Sequence, residues 1–218
     1  MHWSPAVTMR RTIALFALMA VSACSRQLYS APVPVVPAPQ PSAPAKSPPV
    51  GEMPPMANVS SEETVNYILA RGIMIPVVGV TVNQLHDTFD EGRDASRIHR
   101  ALDIMAPRGT PVISADGGRI LRISVSALGG NTVYATDPLG RVVYYYAHLD
   151  GYQPGLAQGA TITRGDTLGF VGTTGNAAKD TPHLHFQIMR MPADGKYWDG
   201  DPINPFPLIL LTHDATRP

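Results

Sequence analysis

The chain is poor in cysteine and carries no net charge. Cys24 is its single cysteine, and 17 lysine and arginine residues balance 17 aspartate and glutamate residues. One cysteine cannot form an intramolecular disulfide, nor supply the several thiolates that structural zinc sites often use. The balanced charge gives no indication of a nucleic-acid partner, which would call for clustered lysine and arginine. The 218 residues have room for one moderate domain with appendages.

A long hydrophobic run is also missing. The apolar stretch from Ile13 to Val21 follows Arg10 and Arg11, but it is too short to cross a bilayer as a permanent helix. A basic start before a short apolar stretch is typical of a signal peptide, which we place at residues 1–23. Both Met1 and Met9 remain open as the true start.

The end of this signal peptide, Val21-Ser22-Ala23-Cys24, resembles the lipobox of bacterial lipoproteins. In that class the cysteine becomes the acylated N-terminus, so we expect lipidation at Cys24; the alternative is a free cysteine behind an ordinary signal peptide. Several acyl chains give stable anchoring where one chain is marginal. Ser25 stands where lipoproteins of the inner membrane often carry Asp, which favours a lipid anchor in the outer membrane, facing the periplasm.

Residues 24–59 combine the lipidated cysteine with a proline-rich linker. Ten prolines lie between Ala31 and Ala57, among Ala, Val and Ser. Such a segment cannot build a core and favours extended polyproline II, with a reach on the order of 100 Å. We interpret it as a tether, in preference to a ligand for SH3-type domains.

The folded part is predicted to begin with an accessory helix at residues 60–75. Ser60 or Ser61 can cap it, acidic residues occupy its first turn, and Gly72 follows its apolar residues. The stretch from Thr81 to Arg97 is polar and weakly patterned, which leaves a loop, a groove wall and a lid as alternatives.

Residues 76–210 have the pattern of a mostly β, antiparallel domain. Short β-type runs at 119–124, 131–135 and 141–148 are separated by turns, and Asp137-Pro-Leu-Gly140 predicts a hairpin turn. In the last run, strand alternation would place Tyr144, Tyr146 and His148 on one face, with aromatic surface beside the histidine.

Histidine and aspartate residues in this region suit a metal. His183 and His185 are one residue apart, so in a strand both point to the same side. His99 and Asp103 would also share a face if the segment from Ile98 to Ile104 is extended, because the proline and glycine after it limit any helix to about two turns. Two histidines and one aspartate form a three-ligand set for Zn²⁺, whose catalytic sites leave the fourth position to water.

Five motifs follow one another along the chain: His99-Arg-Ala-Leu-Asp103, Gly109-Thr-Pro-Val112, Tyr146-Ala-His148-Leu149, Gly172-Thr-Thr-Gly175 and Pro182-His-Leu-His-Phe186. In order and spacing they closely resemble the LytM or lysostaphin-like zinc endopeptidases, peptidase family M23, over roughly residues 76–206. The resemblance implies one Zn²⁺ per domain, with the metal ligands His99, Asp103 and His185. It also implies that His148 and His183 are catalytic, without assigning which one is the general base.

One position departs from the family, which usually reads His-x-Gly-x-Asp and here has Ala101 in the middle. If the site needs only a small side chain, alanine serves. If it needs a positive φ, alanine would strain the loop and weaken metal binding. The remaining histidines, His2, His86 and His213, have no such neighbours in the pattern, and we assign them no role.

These features together predict a zinc metalloendopeptidase that hydrolyses peptide cross-links in peptidoglycan. An outer-membrane location favours the bond between D-Ala and meso-diaminopimelate over a pentaglycine bridge. Two other classes stay in view: a non-catalytic regulator or activator of cell-wall amidases, and a zinc-stabilised peptidoglycan-binding module. The five intact positions argue against the regulator. A protein that restrains the activity is a further possible partner, which the sequence does not identify.

Overall fold

The structure is a computed structural model that describes residues 60–93 and 97–214. The predicted signal peptide, Cys24 and the tether lie outside the described residues. Within them, no helix has the length and apolar character needed to cross a membrane. The α-helices and strands of the described part are α1 (Ser61–Arg71), β1 (Leu102–Met105), β2 (Pro111–Ile113), β3 (Gly118–Ser126), β4 (Gly130–Thr136), β5 (Val142–Leu149), β6 (Gly151–Tyr152), β7 (Thr161–Ile162), β8 (Thr167–Phe170), β9 (His183–Arg190), β10 (Asp201–Ile203) and α2 (Pro205–Asp214), and two short 3₁₀ helices lie at Val82–Gln84 and Tyr197–Asp199.

The predicted accessory helix is confirmed as α1. The Ser60 hydroxyl accepts a hydrogen bond from the Glu63 backbone N–H (3.1 Å), and the Glu63 carboxylate accepts one from the Ser60 N–H (2.8 Å). This reciprocal cap satisfies two backbone donors at the helix start. Gly72 ends the helix in the left-handed region with φ 67°, a conformation that costs glycine little. The helix therefore stops at Arg71, shorter than the predicted span.

A buried carboxylate, Asp116, ties α1 to the sheets. Arg71 forms two hydrogen bonds with it, and Arg164 and Tyr144 add one each, both at 3.1 Å. Burial opposes ionisation of this carboxyl, but hydrogen bonds from the two arginines outweigh it and lower the Asp116 pKa below its ordinary value. The helix is thus held to the β domain by charge as well as by the buried side chain of Ile68.

The strands pair in antiparallel fashion, as predicted, and they form two sheets. The larger has the order β1-β9-β5-β4-β3-β7, with β10 also paired to β9, and the smaller has the order β2-β8-β6. The turn from Asp137 to Gly140 closes the hairpin between β4 and β5 through the Gly140 N–H to Asp137 carbonyl bond of 3.0 Å. Strand β9 lies between β1 and β5, so its residues face both neighbours.

The predicted shared face of Tyr144, Tyr146 and His148 is wrong. Both tyrosines are fully buried in the core with Phe186, whereas Tyr145 points to the opposite side of the sheet. His148 lies on the side of Tyr145 because its φ of 60° interrupts the strand alternation. Histidine is among the residues that adopt this region more readily than most. The aromatic ring beside the histidines is therefore that of Tyr145.

The predicted extended segment from Ile98 to Ile104 is only partly correct. Strand β1 begins at Leu102, because Arg100 has a φ of 59° and breaks the extended chain. The Arg100 carbonyl accepts a hydrogen bond from the Gln187 side chain (3.0 Å), which supports this bend. Ala101 is fully buried and is not among the positive-φ residues. Alanine in place of glycine therefore adds one methyl group to the core and does not cause the strain that a positive φ would bring.

Candidate metal centre

The structure brings together His99, Asp103 and His185. Their candidate ligand atoms all lie within 4.8 Å of one another. Asp103 Oδ1 is 3.0 Å from His99 Nε2 and 3.2 Å from His185 Nδ1, and the two ring nitrogens are 3.0 Å apart. Such convergence follows from the strand register, because Asp103 and His185 are direct partners across the β1–β9 pair.

Backbone contacts set the ring orientation at His99. Its Nδ1 lies 2.8 Å from the Thr88 carbonyl oxygen. A carbonyl only accepts, so Nδ1 carries the proton and Nε2 presents its lone pair toward Asp103 and His185. The second oxygen of the Asp103 carboxylate forms an ion pair with Arg93.

The protonation states of this cluster fit metal binding. Burial opposes ionisation of Asp103, but the adjoining His185 and His99 side chains outweigh it, and the Asp103 pKa lies well below its usual range. Burial lowers the pKa of His185. An ionised carboxylate and neutral imidazoles are the forms that bind a cation. This donor set, with two imidazoles, one carboxylate and no thiolate, suits a catalytic Zn²⁺ better than Ca²⁺ or Mg²⁺, which prefer all-oxygen ligands.

His148 and His183 lie beside the candidate ligands. Their ring centroids are 5.0 Å apart, and the His148 ring is 5.6 Å from the His185 ring. Each holds Nδ1 against a backbone carbonyl, His148 at 2.9 Å from Thr174 and His183 at 2.8 Å from Thr181. In both rings Nδ1 is thus a donor and Nε2 lies on the opposite edge. Burial lowers the pKa of His148 to about 4.

The Gly172-Thr-Thr-Gly175 motif supports His148. The Thr174 hydroxyl accepts a hydrogen bond from the Asn131 N–H (2.9 Å) and donates one to the Leu149 carbonyl (2.8 Å). Gly130 and Gly175 pack so closely that a Cβ on Gly130 would lie 2.4 Å from the Gly175 nitrogen. Only glycine fits this contact, which holds the Thr174 carbonyl against His148.

A cleft of about 600 Å³ opens over all five predicted site residues. Most of the residues in its walls lie outside the five sequence motifs. Tyr145 lines it and lies 6.0 Å from the His185 ring. Exposed apolar side chains form part of its rim: Ile98, Met105 and Leu128.

One wall of the cleft comes from the segment between Thr81 and Arg97 that the sequence left undecided. Both Arg93 and Arg97 line the cleft, so the described part of this segment contributes to a groove wall. Among the described residues that line the cleft, Asp103 is the single carboxylate. These arginines lie in a loop, where no periodic pattern or motif marks them.

Residues 97–205 match the profile of peptidase family M23. The chain belongs to this family. The matched span is half of the chain and contains all five predicted site residues.

Two curated relatives illustrate the M23 likeness. DD-carboxypeptidase/endopeptidase Mpg of Neisseria meningitidis serogroup B is 34% identical over 121 residues, which are 56% of this chain and 25% of that protein. Peptidoglycan DD-endopeptidase ShyC of Vibrio cholerae serotype O1 is 31% identical over 93 residues, 43% of this chain and 20% of that protein. The chain thus spans a quarter or less of the length of these relatives.

A solved structure shows the same fold. The crystal structure of a putative glycyl-glycine endopeptidase lytM from Ruminococcus gnavus superimposes with a TM-score of 0.55 at 27% sequence identity. The likeness covers 68% of this chain and 63% of that one. The names of these M23 proteins refer to different bonds, so family membership alone does not assign the bond.

Proposed function

We propose that this M23 domain is a zinc-dependent endopeptidase that hydrolyses peptide cross-links of bacterial peptidoglycan. The observation that carries the proposal is the joint placement of three candidate ligands and two further histidines at one cleft. A structural metal site has no need of two additional imidazoles beside it. The peptidase names of the relatives support the same reaction class.

His99, Asp103 and His185 would hold the ion through Nε2, Oδ1 and Nδ1. When bound, Zn²⁺ supplies Lewis acidity that lowers the pKa of water and polarises the scissile carbonyl. His148 keeps an unprotonated Nε2 in the cleft, accepts the proton of the attacking water and then delivers that proton to the departing amine. His183, whose Nε2 lies 3.8 Å from Asp103 Oδ2, stabilises, when protonated, the negative charge that develops on the scissile carbonyl oxygen.

We further propose the D-Ala to meso-diaminopimelate bond as the one cleaved. Arg93, which is paired with Asp103, and Arg97 place two guanidinium groups in one wall of the cleft. A charged wall favours stem peptides that carry free carboxylates over a neutral pentaglycine bridge, because arginine pairs with carboxylates in bidentate geometry. The names of the two curated relatives, which refer to DD bonds, point the same way.

A lipid anchor at Cys24 and the tether at residues 24–59 complete the proposal, with the domain held at the outer membrane and facing the periplasm. Replacing the cysteine tests it. In cells the Cys24→Ser variant should leave the membrane fraction for the soluble envelope fraction, and an unchanged distribution would contradict the anchor. Recovery of the wild-type chain wholly with the inner membrane would contradict its outer-membrane placement.

A digest of purified cross-linked peptidoglycan tests the reaction. The full-length chain is incubated with diaminopimelate-type and pentaglycine-type walls, with and without a zinc chelator, and the released muropeptides are identified by mass. We expect chelator-sensitive conversion of dimers to monomers in the diaminopimelate wall. Binding to the wall without any cleavage would instead support a binding module, and activation of a separate amidase without cleavage would support a regulator.

A further inference from the structure

Thr88 contacts the candidate metal ligands from the loop that precedes them. Its carbonyl oxygen accepts a hydrogen bond from His99 Nδ1 at 2.8 Å. Its hydroxyl accepts one from the Asp103 N–H at 3.0 Å and donates one to the Ala101 carbonyl at 3.2 Å. One residue therefore bonds to both candidate ligands of the His99-Arg-Ala-Leu-Asp103 motif and to the peptide between them.

These contacts supply hydrogen bonds that the sheet does not give to the segment from His99 to Asp103. Strand β1 is the edge strand of the larger sheet and begins only at Leu102. His99 lies before it, beyond the positive-φ residue Arg100. The edge N–H of Asp103 would lack a strand partner, and Thr88 supplies one. A hydrogen-bonded partner restricts both the ring tautomer and the backbone from which the carboxylate extends.

Thr88 is itself held in place. The Asp87 carboxylate accepts hydrogen bonds from the Phe89 N–H (3.0 Å) and from the side chain of Asn204 (3.0 Å). Phe89 is buried, and its carbonyl accepts a hydrogen bond from the Arg100 N–H at 2.8 Å. The Thr88 hydroxyl thus reaches the motif from a fixed backbone.

We propose that Thr88 is a positioning residue that sets the geometry of His99 and Asp103 for metal binding. The inference rests on the metal centre of the proposed function and extends it to a residue outside the family motifs. Partners of metal ligands typically contribute about 10- to 100-fold to metal affinity. The hydroxyl is the part that substitution can remove, because the carbonyl belongs to the backbone.

Zinc affinity of the metal-stripped full-length chain tests this role. Thr88→Val removes the hydroxyl while keeping the branched shape, Thr88→Ser keeps the hydroxyl, and Thr161→Val is a matched control at an exposed strand position. Each protein is titrated with Zn²⁺ in competition with a chromophoric chelator, and its melting temperature is measured without metal. We expect Thr88→Val to weaken zinc binding about 10-fold or more, and Thr88→Ser to stay within about 3-fold of wild type.

Two outcomes would overturn the inference. The first is equal zinc affinity of Thr88→Val and wild type; if metal-free Thr88→Val also has a lower melting temperature, the threonine is purely structural. The second is absence of zinc binding by the wild-type chain, which would remove the metal centre, and this inference with it. The wild-type titration distinguishes the two.

Discussion

Asp103 and His185 face each other across the β1–β9 pair, with 3.2 Å between the carboxylate oxygen and the ring nitrogen. On its other side, β9 pairs His185 with Ala147, the residue before His148. A single strand thus aligns one candidate ligand with a second candidate ligand on one neighbour and with the proposed catalytic histidine on the other. The chemistry of the site depends on the register of β9.

Substitution of a candidate ligand should remove the metal without unfolding the domain. In Asp103→Asn an amide replaces the anionic ligand, so we expect zinc affinity to fall by more than about 100-fold, beyond the usual effect of a partner of a ligand. Asp201→Asn, at an exposed acidic residue of β10, is the control. Zinc competition gives the affinity and circular dichroism the fold. Retained tight binding in Asp103→Asn would contradict the assignment.

His148 should be needed for turnover and not for zinc. Its Nδ1 is held by the Thr174 carbonyl and it contributes no atom to the three-ligand cluster. We expect His148→Ala to lower kcat by about 10²- to 10⁴-fold, the usual contribution of a general acid or base, while zinc content stays at one per chain. Muropeptide release and metal analysis on the same sample provide the test. Loss of zinc together with activity would assign His148 to the metal instead.

Arg97 should contribute to substrate binding through the carboxylates of the stem peptide. We expect Arg97→Gln to lower kcat/KM about 10-fold or more on a free-acid diaminopimelate dimer, mainly through KM, because a charge-assisted hydrogen bond is worth about 1.5–3 kcal/mol. A dimer with amidated diaminopimelate should show little difference between variant and wild type. Arg190→Gln, at the far end of β9 from His183, is the control. Equal losses on both substrates would argue against carboxylate recognition.

The Asp116 cluster should make stability depend on pH. The folded-state pKa of Asp116 lies below its ordinary value, so its ionised form stabilises the fold above the unfolded pKa of about 3.9, and this contribution is lost as pH falls below that value. We expect the midpoint of urea unfolding to decrease between about pH 5 and pH 3. Asp116→Asn should be less stable at pH 7 and show a shallower dependence. An identical pH profile in the variant would contradict the role of this carboxyl.

Sequence patterns predicted the fold class and the residues around the centre because both depend on local rules. The cap at Ser60, the turn after Asp137 and the alternation of His183 and His185 involve neighbours a few residues apart. Each such feature is visible in a short window. The resemblance to M23 proteins then indicated that motifs far apart in the chain form one site.

The sequence-based predictions were wrong where one positive φ interrupted the alternation of side chains along a strand. A positive φ at Arg100 shortened the predicted strand, and another at His148 moved that histidine from the side of Tyr144 to the side of Tyr145. The alternation of polar and apolar side chains does not predict such residues, because it carries no information on the backbone angle φ. Thr88 was missed for a related reason: two of its three contacts go to backbone atoms and the third uses its own carbonyl, so no residue type marks them.

The most direct test of the zinc endopeptidase is reconstitution of the metal-free protein. The full-length chain is stripped of metal, titrated with Zn²⁺, and assayed at each step for conversion of a diaminopimelate-linked muropeptide dimer to monomers. We expect no conversion without metal, and activity that rises to a maximum at one Zn²⁺ per chain. Full conversion by the metal-free protein, or zinc binding at one per chain with no conversion, would contradict it.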